Sequence, residues 1–552
     1  MLQIALPLPL GLLVIAAAWR AWFLLHGLIA VDKDEAVLGL MGLRILLGDR
    51  PVFFYGQHYM GSAEAYLHAL VFHLLDVTPV TLRLVPLGVS LLAVYLIYRL
   101  GATLYGRGVG LASGLFLALS PVFFTMWSLR ARPSYCWLLV LGTALLLVAL
   151  RWRRGQAPHW HPLLFGLLAG LGLWINQLLV LYAPPLLILL WGRPTRRGLA
   201  QAAVTLLGLV VGGLPLWLAN LREPVTVQAI ERQGVSQVSG QAGLPGYAAM
   251  LAGHLHTGLP VLLGYLQPHD PPVSWELLVP YPMADRWVPI TVAATLVLGA
   301  LGLGVGAIVR LLRAEDPGPL RYLHGDVALS VHFLVVPLLV YVSPPSAYQA
   351  ANPRYLIILY CCVPLFIAAA ARALQWGYGR ATRARLGRAL PRGALDLRVW
   401  GGLALLPLLW VNVHGHQDMH RGWTTWVEDD AQVRTLAEHL QSHEVRTVYA
   451  EDWIAFPLSF LTRYEIVATE PGCFRRIPAD AAHVAAAPTG AWILNGSWLG
   501  LNGMTEAAVH AQLQQAGSHY IREVATGFVI MRDIIPPSVL PVCREAAGAR
   551  YY

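Results

Sequence analysis

Apolar runs long enough to cross a bilayer recur from residue 4 to residue 412 of this chain. About 20 such residues span the hydrocarbon core, and a segment in lipid must satisfy its backbone internally, so each run is expected to be a helix. Spans are expected at about 4–29, 80–100, 108–126, 134–150, 162–175, 177–191, 199–219, 288–312, 326–343, 354–371 and 399–412, roughly eleven in all. The first is interrupted only by Arg20 and His26, and the polar pair Asn176–Gln177 separates two short ones. Of the 552 residues, 57% are hydrophobic and 12% charged, against about 25% charged in soluble domains. No single soluble core absorbs that much apolar surface, so the chain reads as a polytopic α-helical membrane protein. The first run has no small-residue cleavage site after a short core and reads as a retained anchor.

The net charge of +9 is almost wholly arginine; Lys33 is the one lysine. The arginines form short clusters between apolar runs and no single basic face, which argues against a nucleic-acid partner. Arg99 and Arg107, Arg151 to Arg154, Arg193 to Arg197, Arg310 to Arg321 and Arg372 to Arg392 all fall on one side of the expected spans. By the positive-inside bias that side is the cytoplasm. The N-terminus is then cytoplasmic, and the acidic stretch after the first helix faces outward, as does the C-terminus.

Two long outward loops are expected, 30–79 and 220–287, the second as a lid or cap. In the first, Ala36–Leu47 and Gly61–Leu75 read as amphipathic helices suited to the interface plane. Between them lies a turn rich in aromatic and hydrogen-bonding groups, Pro51 to Tyr59. Residues 1–412 are taken as the transmembrane domain. Residues 413–552, where strand and helix patterns alternate, are taken as a small soluble α/β domain, with no catalytic constellation of its own. Cys136, Cys361 and Cys362 lie in apolar runs and read as packing residues. Cys473 and Cys543 are free to pair or not in an extracytoplasmic domain. His254, His256 and His269 lack metal-ligand spacing.

Asp34-Glu35-Ala36 after the first helix, FFYGQHYMGSAEAY at 53–66, SLRARPSY at 128–135, NPRYL at 352–356 and YAEDWIAFPLSFLT at 449–462 resemble the bacterial GT-C superfamily. These are polytopic glycosyltransferases that use polyprenyl-phosphate sugars, and the nearest groups are the protein O-mannosyltransferase-like and aminoarabinose-transferase-like enzymes. The resemblance implies an inverting hexosyl or pentosyl transferase of the bacterial plasma membrane. Its partners would be membrane lipid, a polyprenyl-phosphate-linked sugar and an acceptor hydroxyl on a lipid, glycan or protein.

The family's acidic motif maps onto Asp34 and Glu35. Asp34 is expected to be the base that takes the acceptor proton, helped by a pKa raised on burial. Glu35 is expected to orient the acceptor or hold the helix start, with Asp32 a third candidate. Arg130, Arg132 and Arg354 break the cytoplasmic bias, and a guanidinium fork suits phosphate oxygens, so they are expected on the donor phosphate. Tyr55, Gln57, His58 and Tyr59 are candidates for lining the sugar pocket. Glu64, on an apolar segment, needs a partner such as an arginine of the 128–132 turn. No metal ligand and no cofactor is expected, with a divalent cation left open. The rivals are a lipid or solute transporter or flippase, disfavoured because no internal repeat is found, and a surface-polysaccharide polymerase or ligase.

Overall fold

The computed structural model describes residues 7–26, 30–132, 134–155, 158–190, 196–229, 258–264, 266–268, 278–280, 320–342, 353–386, 397–422, 424–471, 475–495 and 505–535, with isolated positions 248, 302 and 305. Nearly all of the expected span at 288–312, most of the 220–287 loop, the three histidines there, Cys473 and Cys543 lie outside these residues.

The membrane part begins with α1 (Pro7–Leu25), then α2 (Lys33–Leu46), the hairpin β1 (Phe53–Phe54) and β2 (Gln57–Gly61), α3 (Ala63–Leu74) and α4 (Pro79–Leu82). It continues through α5 (Leu84–Tyr105), α6 (Arg107–Ala118), α7 (Val122–Leu129), α8 (Tyr135–Arg153), α9 (His161–Ile175), α10 (Ala183–Leu190), α11 (Arg196–Gly212) and α12 (Leu214–Arg222). Further on come α13 (Leu259–Leu263), the pair β3 (Leu266–Pro268) and β4 (Leu278–Pro280), α14 (Leu320–Val342), α15 (Val363–Leu386) and α16 (Leu397–Gly422). Among the described residues, Leu8–Leu25, Pro79–Tyr105, Tyr135–Arg153 and Arg354–Gln375 are long and apolar enough to cross a membrane. Counting each of two bent pairs as one span brings the total among the described residues to six.

Those bends correct the expected continuous spans at 108–126 and 199–219. Helices α6 and α7 meet at 72°, and the α11–α12 pair at 71°. A break strands the last carbonyls of the first helix, and hydrocarbon offers them no partner. Arg20, fully buried in α1, answers this: Nη1 donates to the Ala118 carbonyl at 2.8 Å and Nη2 to that of Leu117 at 3.0 Å. The Asn412 amide of α16 donates to the Leu119 carbonyl at 2.7 Å. The charge that interrupts the first apolar run is therefore a cap for another helix.

Helices α9 and α11 touch backbone to backbone. Gly166 and Gly170 on one, and Gly208 and Gly212 on the other, leave no room for a Cβ against the facing carbonyls of Thr205, Leu209, Leu163 and Leu167. Two facing G-x3-G pairs allow this approach, a familiar mode of helix association in lipid.

The first loop packs against the C-terminal region. Helix α2 is buried along Glu35–Gly42, and its Val37, Leu40 and Met41 share a core with Phe72 of α3 and with Phe456 and Phe460 from the C-terminal region. There the chain forms α17 (Thr424–Ser442), β5 (Thr447–Ala450), α18 (Asp452–Leu461), β6 (Val467–Thr469), α19 (Pro478–Ala486), β7 (Ala491–Asn495), α20 (Glu506–Gln515), β8 (His519–Ala525) and β9 (Phe528–Ile535). The sheet order is β6-β5-β7-β9-β8, parallel across β6, β5 and β7 and antiparallel beyond. Helix α18 is apolar on two faces because it serves two cores. Ala455 and Leu458 face the sheet, and Phe456 and Phe460 face α2.

The glycine contact gives a direct test. Gly170→Leu should force α9 and α11 apart and lower the melting temperature or the yield of monodisperse protein. Gly88→Ala on α5, where a Cβ meets nothing within 4 Å, should leave both unchanged.

Candidate active site

Four consecutive charged residues open α2, and each reaches a different part of the chain. Asp32 is the N-cap: its Oδ1 accepts from the Glu35 amide at 2.9 Å, satisfying one of the helix's orphan donors. Its Oδ2 accepts from Arg130 Nη1 and from Arg132 Nε, both at 2.6 Å. Burial pushes the Asp32 carboxyl up, but the two guanidinium groups outweigh it and hold the acid well below the usual carboxylate range. Lys33 Nζ pairs with Asp452 Oδ2 of α18 at 2.7 Å. Asp34 Oδ1 pairs with Arg476 Nη1 at 2.7 Å. Glu35, wholly buried, takes the Arg83 fork in two bonds of 2.8 and 2.9 Å and accepts from the Ala131 amide at 3.2 Å.

These bonds fix the turn after α7 against the head of α2. The turn ends on Ser134, whose φ of 72° is left-handed, a costly setting for a residue with a side chain. The Ser134 amide donates to Glu64 Oε2 at 3.3 Å, and its hydroxyl accepts from Asn176 at 2.8 Å. Glu64 therefore has no arginine from the 128–132 turn. Its partners are a backbone amide and, at 3.8 Å, His68.

Exposure separates the three acids. The side chain of Asp34 is 27% exposed, those of Asp32 and Glu35 3% and 0%. The expected rise in the Asp34 pKa is corrected as well. Burial and the neighbouring Asp32 carboxylate push it up, yet Arg476, Arg132 and Lys33 together outweigh them, and the balance lies below the ordinary value. Asp34 is a carboxylate at neutral pH, held in place and open to one side.

Around it, Arg132 stacks over Trp127 at 4.6 Å. Arg354 stacks over Tyr355 at 4.9 Å and donates to its hydroxyl at 3.0 Å. Tyr135, at the head of α8, has the Arg354 guanidinium 5.9 Å from its ring and the Tyr355 ring 5.8 Å away. Gln57, His58 and Tyr59 are half-buried on β2; Tyr59 donates to Gln57 at 3.2 Å. Tyr55 is drawn instead into a structural tie, donating to Asp49, which Arg44 also holds.

Sequence reasoning missed Arg83 and Arg476. Arg476 sits on the outward side of the expected topology and Arg83 at the outward end of the expected 80–100 span, both against the arginine bias that singled out Arg130 and Arg132. Through Arg476 the 413–552 region, expected to hold no catalytic constellation of its own, reaches Asp34.

Comparison with known proteins adds to this geometry. Residues 63–221 match the model of the dolichyl-phosphate-mannose-protein mannosyltransferase family. That segment, well under half of the chain, carries Glu64, Arg83, Arg130 and Arg132 but not Asp34. The ArnT structure from Cupriavidus metallidurans bound to undecaprenyl phosphate superposes with a TM-score of 0.54 at 12% identity, covering 95% of this chain and 97% of that one. This is the GT-C fold. The apo ArnT structure from the same organism gives the GT-C comparison again, at a TM-score of 0.54 and 11% identity, covering 95% and 98%. No curated protein matches the sequence. The GT-C fold makes the chain a multi-pass membrane protein, as expected.

Breaking a buried ion pair from one side leaves an uncompensated charge, at about 3–5 kcal/mol. Arg83→Met should therefore lower thermal stability by about that much. Adding Glu35→Gln should restore a large share, because the amide is neutral and still accepts from Ala131. Equal melting temperatures for Arg83→Met and the parent would show that this pair does not hold the site.

Proposed function

We propose that this protein is a membrane glycosyltransferase that moves a hexosyl or pentosyl group from a polyprenyl-phosphate donor to an acceptor hydroxyl. The observation that carries this reading is Asp34: the one partly exposed member of an acid cluster whose other members are buried, set among arginines. The mannosyltransferase family match supports it, as does the shared fold with an enzyme crystallised with undecaprenyl phosphate.

In the proposed reaction a carboxylate oxygen of Asp34 takes the acceptor proton as the hydroxyl oxygen bonds to the anomeric carbon. The carbon–oxygen bond to phosphate breaks on the opposite face, the configuration inverts, and polyprenyl phosphate leaves with the bonding pair. Arg132 and Arg354 stabilise the charge that grows on the phosphate. Arg130, buried on Asp32, keeps Arg132 and the turn in register with that phosphate. Glu35 positions the head of α2. Gln57, His58 and Tyr59 line the sugar pocket, while Tyr55 and Glu64 brace it. The acceptor is a lipid, glycan or protein hydroxyl. The site lies on the extracytoplasmic face of a bacterial plasma membrane, with the N-terminus inside. Impermeant thiol labelling should therefore reach cysteines placed near Asp34 from outside, and cysteines near Arg154 only after permeabilisation.

Asp34→Asn keeps the shape and removes the base, so turnover should fall by about 10²-fold or more with donor affinity and melting temperature little changed. Full activity in the folded variant would remove Asp34 as the base.

The pH profile provides a second check. A base works when deprotonated, so activity is retained above its folded pKa and lost as pH falls through it. With that pKa below the ordinary aspartate value of about 3.9, the acid limb of kcat/KM should lie lower still. Arg476→Gln removes the main cation beside Asp34 and should move the limb upward. An unmoved limb in an active Arg476→Gln enzyme would break the link between the two residues.

A further inference from the structure

The C-terminal sheet carries a group of metal-ligating side chains that the transfer reaction does not use. His439 and His443 stand one turn apart near the end of α17, and so project from one face of the helix. Glu523 faces them from β8. A ligand nitrogen from each histidine and a carboxylate oxygen of Glu523 all lie within 4.8 Å of one another. His439 Nε2 is 2.9 Å from Glu523 Oε1. His443 Nδ1 is 2.9 Å from the His439 carbonyl, a contact that assigns the proton to Nδ1 and leaves the lone pair on Nε2. Carbonyl contacts of this kind orient histidines that bind metals. Arg532 Nε donates to the same Glu523 Oε1 at 2.9 Å, which holds the carboxylate beside His439.

We propose that His439, His443 and Glu523 form a binding site for a divalent transition-metal ion of the zinc class. Two imidazoles and a carboxylate are the ligand types that such an ion takes, with the fourth position of a tetrahedron left to water. Bonds of about 2.1 Å in a tetrahedron put donors about 3.4 Å apart. Binding then draws the donors in from their present spread of up to 4.8 Å and parts His439 Nε2 from Glu523 Oε1, now 2.9 Å apart. On binding, the ion replaces the hydrogen bond between His439 and Glu523, and the His439 Nε2 proton is released to solvent or moves to Nδ1. The ion then staples α17, the helix that follows α16, to the edge strand β8. The same helix already holds the β8–β9 turn at a second point, where Gln432 donates to the Thr526 carbonyl at 3.1 Å.

The test uses the full chain in detergent, purified through a tag without histidine, stripped with EDTA and titrated with Co²⁺ and then Zn²⁺. One Co²⁺ per chain should give the visible absorption of a four-coordinate site, Zn²⁺ should displace it, and Zn²⁺ should raise the melting temperature. Outer-shell partners of a metal are worth about 10–100-fold in affinity. Loss of two direct ligands in His439→Ala/His443→Ala should therefore weaken binding by about 100-fold or more and abolish the thermal shift. His443→Cys keeps a zinc ligand and should retain the Zn²⁺ shift. Equal Co²⁺ binding and an equal Zn²⁺ shift in the parent and the double variant would overturn the site and leave a His–Glu–Arg ion-pair cluster. None of these readings depends on glycosyl transfer, so the metal site and the proposed reaction stand or fall separately.

Discussion

The head of α2 is where the architecture is tied together, through ion pairs from residues 32 to 35. Asp32 binds the turn after α7, Glu35 the start of α5 through Arg83, Lys33 the first turn of α18, and Asp34 the segment before α19. Pairs buried this deeply are not simply a source of stability, because desolvation cancels much of the attraction. Their use is in register. A shift of α2 by one residue would strand a charge on each of four neighbours. The arrangement leaves Asp34 as the member with a partner on one side and an opening on the other.

Two of those four partners come from the C-terminal region, so the sheet there is more than an appendage. Helix α18 is wedged between the sheet and α2, and Gly39 of α2 has no room for a Cβ against the Phe460 ring. Arg476 lies between Phe54 and Phe456, with its guanidinium 5.3 and 5.9 Å from the two rings. Apolar faces of this kind hold an arginine in place while its charge sets the Asp34 carboxylate. Whatever moves the sheet relative to α2 moves the charge beside the proposed base.

Within the membrane part the same economy of polar groups recurs. The α6–α7 break is repaired by Arg20 and Asn412, and His416 Nε2 meets the Thr125 hydroxyl at 2.9 Å. Helix α7 is thereby held at its angle to α6, which delivers Arg130 and Arg132 to Asp32. A charge on the first transmembrane helix and a bend in a later one are parts of one device.

The sequence by itself determined the class of the molecule and most of its elements. Period and length are local properties, and so most of the apolar spans and the alternation of strand and helix beyond residue 413 could be read from it. Asp34, Arg130 and Arg132 were legible as candidates because each departs from a local rule: acids beside a membrane helix, and arginines on the outward side. Tertiary structure alone decided which acid stays open, that Glu35 is locked by Arg83, that Glu64 serves Ser134, and that Arg476 lowers the Asp34 pKa where burial alone would raise it. The reason is distance along the chain. Arg476 lies 442 residues from Asp34, and the strength and even the sign of an electrostatic shift depend on separation and burial in space, which no local pattern encodes.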